Sequence, residues 1–191
     1  MKELFPLMFQ ALMRSDPRGV LQFFCDLPAD RQAEVAHVTG LIGEQSAQDA
    51  VLEVREGSRV RFEFLLPHEQ YDDGLPERMA VFATGLVSRT RKMVRGHLIL
   101  FRELPYPVDV PTQFAVHEGK PRVNFAYRVH EFWKLDPELF LESDRNAWLP
   151  WIPLMRANPR QLGEAARRLS VLGDPELESE FVLVGRLREG R

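Results

Sequence analysis

The 191-residue chain has little cysteine: Cys25 is alone. No internal disulfide can form, and a structural zinc site built from several thiolates is excluded. Long apolar runs are also missing, since none approaches the roughly 20 residues of a membrane-spanning helix. Residues 1–14 are amphipathic but hold no apolar block followed by a small-residue cleavage site, so no secretory signal is read there. Lysine is scarce, 4 residues against 21 arginines. Arginine forks grip carboxylate and phosphate in a bidentate way that lysine cannot; genomic base composition is the plainer explanation. The net charge of −3 rules out a bulk polycation, so any nucleic-acid contact must come from a local patch.

Several catalytic signatures are absent. There is no Gly-x-Ser-x-Gly elbow and no Gly-x-x-x-x-Gly-Lys-Ser/Thr phosphate loop. His37, His68, His97, His117 and His130 are scattered, without the i, i+4 pair of a His-Glu-x-x-His zinc motif. His97 stands in an apolar stretch and reads as a hydrogen-bonded core residue. With an ordinary apolar fraction of 45%, the chain is expected to be a soluble cytoplasmic α/β protein.

Four cap signatures divide the chain: Asp16-Pro17, Asp136-Pro137, Asn158-Pro159 and Asp174-Pro175 each set a capping side chain before a proline. Residues 3–14 read as a helix with Pro6 in its first turn, and Arg18–Asp26 as another. Between Gln48 and Leu66 the period changes to 2, giving two strands, Asp49–Arg55 and Arg59–Leu65, around a loop Glu56-Gly57-Ser58. A long helix over Leu75–Met93 and a buried strand over Val94–Glu103 follow. Pro105, Pro107 and Pro111 stiffen the next connection. Strands are expected at Gln113–His117 and Arg122–Trp133, with a turn at Glu118-Gly119-Lys120. From Asp136 onward the reading is helical: Pro137–Leu141, Ala147–Leu154, Arg160–Leu172 and Glu176–Arg188. The predicted fold is a mixed β-sheet flanked by helices, with a core over residues 1–135 and a helical C-terminal extension over 136–191 packed on it.

The hairpin carries the candidate chemistry. A three-residue loop would set Arg55 opposite Arg59, hence Val51 opposite Glu63 and Asp49 opposite Leu65. Asp49 and Glu63 would then be diagonal neighbours on one face, about 7–8 Å apart. Two such carboxylates can share a divalent cation that polarises a phosphate and lowers the pKa of a bound water. The plain structural reading has Asp49 opening a strand and Glu63 pairing with Arg61 on a solvated face. Against it stands the setting of Glu63 between Phe62 and Phe64, where an unpaired charge is costly.

Asp49, then Phe62-Glu63-Phe64, then a long helix and an apolar strand resemble the PD-(D/E)XK nuclease core, which is a restriction-endonuclease-like fold. More narrowly, the chain resembles the bacterial recombination-promoting nuclease/putative transposase family. Leu4-Phe5-Pro6-Leu7-Met8-Phe9 with Asp16-Pro17, Leu75-Pro-Glu-Arg-Met79, Tyr127–Leu135 and Trp148-Leu-Pro-Trp-Ile-Pro-Leu154 carry that likeness over most of residues 1–155. The resemblance implies cleavage of DNA with Mg2+ or Mn2+, in recombination, transposition or phage defence. It makes Asp49 and Glu63 the catalytic metal ligands, with Glu3 a weaker acidic candidate on the first helix. The family places Lys or Gln two residues after the glutamate, and this chain has Leu65. The usual proline before the aspartate is Gln48. His68, Gln70 and Lys92, or Arg78 and Arg89 on the following helix, are the nearest substitutes for the missing group.

Arg89, Arg91, Lys92 and Arg95 form a basic cluster, read either as a phosphate-binding patch for DNA or as cations suited to a helix C-terminus. Trp133, Trp148 and Trp151 with Phe132 and Phe140 read as core; if Trp148 and Trp151 were exposed they would mark a homodimer or partner contact. The last helix, with Phe181, Leu183, Val184 and Leu187, is a second docking candidate. Two functions follow: a metal-dependent DNA endonuclease, or a catalytically degenerate nuclease fold that binds DNA or protein.

Overall fold

The structure, a computed structural model, describes residues 4–27, 32–38, 50–104, 109–116 and 123–189. It divides into two compact units, Met1–His130 and Glu131–Arg191. The architecture is α/β, with a mixed six-stranded sheet and helices.

The first unit opens with α1 (Leu4–Ser15), which carries Pro6 in its first turn, and α2 (Pro17–Phe24). Asp16 caps α2, its carboxylate accepting from the Gly19 amide at 3.0 Å. The strands are β1 (Glu34–Val38), β2 (Ala50–Glu56), β3 (Arg59–His68), β4 (Met93–Leu100), β5 (Gln113–Val116) and β6 (Val123–Glu131), with α3 (Leu75–Thr90) between β3 and β4. Their order across the sheet is β1-β2-β3-β4-β6-β5. β1, β2 and β3 run antiparallel in sequence, and the crossover through α3 makes β3 and β4 parallel.

The structure departs from expectation in several places. β1 was not anticipated: Glu34-Val-Ala-His-Val38 is too short to separate from loop by periodicity. The hairpin turns on two residues, Gly57 and Ser58, with Gly57 at φ +59°. Glu56 therefore pairs with Arg59, and Leu52, not Val51, lies opposite Glu63. The long helix ends at Thr90, because Arg91 takes a left-handed conformation at φ 55°, and the next strand begins at Met93.

Each sheet face meets its own helices. Phe64 and Gly96 share a face, being paired across β3 and β4. On that face the Phe64 ring lies 4.7 Å from Phe82 of α3. Glu63, His97 and Phe101 belong to the opposite face, where Phe101 packs against Phe5 and Phe9 of α1 at 5.6 and 5.7 Å between ring centroids.

In the second unit a 3-10 turn (Phe132–Lys134) leads into α4 (Glu138–Leu141), a 3-10 segment (Asn146–Leu154), α5 (Pro159–Leu172) and α6 (Pro175–Glu189). Pro150 and Pro153 remove two amide donors, which explains a 3-10 segment where a regular helix was expected. Trp148 and Trp151 are buried within this unit against Phe140 and Phe132, so the exposure that would have marked a dimer contact is not found at these two rings. Asn158 and Gln161 close a reciprocal capping box at the start of α5.

Gly96 supplies a test of the sheet's packing. A Cβ there would lie 2.7 Å from Cζ of Phe125 and 3.0 Å from Cε of Met79. Gly96→Ala should lower the unfolding free energy by about 1–3 kcal/mol, the usual cost of overpacking. Urea denaturation of both proteins measures it; an unchanged midpoint would show that Phe125 and Met79 yield freely.

Candidate functional site

Glu63 is completely buried at the middle of β3. Both carboxylate oxygens are engaged. Nε of Arg61 donates to Oε1 at 2.6 Å, and Nη1 of Arg95 stands 3.8 Å from the same oxygen. Nε2 of His97 lies 3.1 Å from Oε2. Parallel pairing explains the set: Arg95 is opposite Glu63 and His97 is opposite Leu65, all on one face. Arg61 reaches that face from two residues back on β3, and its other arm also binds Glu56.

A second layer comes from other elements. Nδ1 of His97 is 3.0 Å from Nε2 of His130 on β6, and the two rings stack at 5.3 Å. Phe24 meets His130 edge-on at 5.1 Å. Next to it, the buried Cys25 at the end of α2 brings its sulfur into the cluster: one ligand atom each from Cys25, Glu63 and His97 all lie within 4.8 Å of one another. Asp26, in a left-handed conformation, pairs with Arg128.

Electrostatics follow from burial and neighbours. Burial, with the Glu63 carboxylate beside it, pushes the Cys25 thiol well above its usual range. Burial pulls Arg61 down, but the hydrogen bonds to Glu56 and Glu63 outweigh it and its pKa rises. His130 is pulled down to about 3 by burial and by the charges of His97 and Arg128. His97 thus bridges the two groups, Nδ1 towards Nε2 of His130 and Nε2 towards Oε2 of Glu63.

The placement of the expected residues is mixed. Asp49 and Glu3 lie outside the described residues. The corrected register puts Ala50, Leu52 and Val54 on the Glu63 face and Val51 and Glu53 on the Phe62 and Phe64 face. The three-residue-loop argument that set Asp49 beside Glu63 therefore no longer holds. Glu63 does pair with Arg61, though in the core and not on a solvated face. Leu65 is fully buried. Of the substitutes proposed for it, His68 binds the Gln70 carbonyl at 2.6 Å and Gln70 binds the Glu103 carbonyl at 3.3 Å. The polar group paired across from Leu65 is instead His97. Its core position was expected; its partner was not, because only the β3–β4 register reveals it. Cys25 and His130 carried no signal, since a lone cysteine and a lone histidine far apart in sequence are unremarkable until folded together. Arg89, Arg91, Lys92 and Arg95 are all exposed, and Arg95 approaches Glu63.

The metal that the resemblance implies meets a partial fit. Glu63 offers a carboxylate oxygen of the kind magnesium and manganese take, but Cys25 and His97 supply sulfur and nitrogen, which suit a softer ion. Compared with known proteins, the chain matches no family model, no curated protein and no solved structure.

Two predictions test the cluster. Removing one partner of a buried ion pair costs about 3–5 kcal/mol, because the other charge is stranded. Arg61→Met should do so in urea denaturation, and Glu63→Gln in the same chain should recover much of the loss. A cost below about 1 kcal/mol for Arg61→Met would show that Glu63 does not depend on it. The second concerns acid. The folded pKa of His130, about 3, is below the ordinary value of about 6.5. Between those values the unfolded chain binds the extra proton, so stability is complete above about pH 6.5 and falls as pH drops towards 3. The His130 ring protons, followed by NMR, should not titrate between about pH 5 and 8; a midpoint near 6.5 would contradict the burial.

Proposed function

We propose that the chain is a metal-dependent DNA endonuclease of the recombination, transposition or phage-defence type, cytoplasmic, centred on Glu63. The observation that carries the reading is a completely buried carboxylate among ionisable groups on one sheet face, since perturbed clusters of this kind concentrate at functional sites. The element order supports it too: two helices, an antiparallel hairpin, a crossover helix and a parallel strand follow the order of the nuclease core that the sequence resembles. Leu65 brings no polar group, and His97, Arg61 and Arg95 supply them from neighbouring positions.

In this reading Glu63 would hold Mg2+ or Mn2+. Such an ion, when bound, polarises a phosphate and acidifies a bound water. Arg61 fixes the rotamer of Glu63 by gripping Oε1. Arg95, half-exposed at the rim, offers a cation to a phosphate; Arg89, Arg91 and Lys92 extend the positive edge towards the DNA backbone.

One observation favours a second reading, a nuclease fold that binds DNA or protein without cutting. Both oxygens of Glu63 are already taken by protein donors, and Leu65 is sealed in the core.

Incubation of the purified chain with supercoiled plasmid and Mg2+ or Mn2+ separates the two. Nicking is expected for the wild type and should be abolished by Glu63→Gln, with His97→Gln reducing it about 10–100-fold. Equal cleavage by wild type and Glu63→Gln would overturn the endonuclease reading. Retention of plasmid without cleavage would select the second.

A further inference from the structure

We propose that Cys25, Glu63 and His97 form a binding site for a divalent transition metal of the zinc class, a site distinct in chemistry from the magnesium centre of the nuclease reading and independent of whether the domain cuts DNA. Three donors from three separate elements converge: sulfur from the end of α2, a carboxylate from β3, an imidazole from β4. Their ligand atoms lie within 4.8 Å of one another. A tetrahedral zinc with bonds of about 2.0–2.3 Å sets its ligand atoms about 3.5 Å apart, so the His97–Glu63 pair at 3.1 Å opens slightly and the sulfur closes in by about 1 Å. One sulfur, one nitrogen and one oxygen donor make a set suited to zinc, and three protein ligands leave a fourth position for water.

The surrounding layer is arranged as metal ligands require. Arg61 grips Oε1 of Glu63 and leaves Oε2, the oxygen nearest His97, for the ion. His130 stands against Nδ1 of His97, the ring atom a ligating histidine uses for its outer hydrogen bond. The proton balance is simple. The Cys25 thiol gives up one proton to solvent. The His97 proton moves from Nε2 to Nδ1 and now donates to Nε2 of His130, whose own proton shifts to Nδ1. A dication bound by thiolate and carboxylate leaves no net charge at the centre. Arg61 keeps both Glu56 and Oε1 of Glu63. Because both readings call on the Glu63 carboxylate, a zinc-class ion here competes with magnesium for it.

The test uses the full chain, stripped with a chelator and titrated with Co2+ and then Zn2+. One cobalt per chain is expected, with a thiolate-to-cobalt charge-transfer band and the intense visible bands of four-coordinate cobalt, both erased by one equivalent of zinc. Cys25→Ser should lose the charge-transfer band, and His130→Gln should weaken binding about 10–100-fold while keeping the band. Wild-type protein that is folded by circular dichroism and takes up no cobalt, or takes it up without a thiolate band, overturns the proposal. The same holds if Cys25→Ser binds as the wild type does. None of these readouts depends on cleavage, so a chain that never nicks plasmid can still bind the ion, and one that nicks with magnesium can still fail to.

Discussion

A carboxylate with no solvent contact is the constraint around which the first unit is organised. Removing Glu63 from water costs several kcal/mol, and that cost is met only where donors reach both oxygens. Arg61 supplies one and His97 the other, and each is held by a further partner, Glu56 for the arginine and His130 for the imidazole. The network therefore ties β2, β3, β4 and β6 together through side chains as well as through their ladders. A change at any of these residues strands a polar group in the core, which is why the cluster couples fold and chemistry so closely.

The parallel pairing of β3 with β4 decides which residues meet. A crossover helix is what allows two strands separated by about thirty residues to lie side by side in the same direction. Once they do, residues 32 apart become neighbours: Arg95 faces Glu63 and His97 faces Leu65. An antiparallel partner would have brought a different pair of side chains to the carboxylate. The basic character of the rim comes from the same register, because Arg95 is placed there by the strand whereas Arg89, Arg91 and Lys92 sit at the junction before it.

Much of the fold was legible because its signals are local. Asp16-Pro17 and Asn158-Pro159 start helices where the caps said, and the alternation around Phe62 and Phe64 marks a strand with both faces buried. The mixed sheet with helices followed from the order of those elements. What sequence reading missed is non-local or turns on one residue. The hairpin loop differs by a single position from the expected length, and because strand side chains have period 2, that one step exchanges the faces of β2 relative to Glu63. β1 is short and lacks clean alternation. Of the site, Glu63 stood out on its own, since a charge between two phenylalanines demands a partner. Cys25 and His130 did not, because their importance is a distance in space with no counterpart in spacing along the chain.

The pairing of Leu65 with His97 decides which donors reach Glu63. An apolar side chain at residue 65 closes that part of the face and leaves the carboxylate needing other donors, and a histidine on the next strand is the nearest position from which one can come. A histidine differs from a lysine in offering a lone pair as well as a proton. With a thiol alongside, the donors gathered here are of the kind that softer ions prefer. In the two proposals, the ion that Glu63 would take follows from the balance between an aqueous, phosphate-assisted site that keeps its waters and a dry site that replaces them with sulfur and nitrogen. The depth of Glu63, beneath Arg61 and against Cys25, tilts that balance towards the dry site.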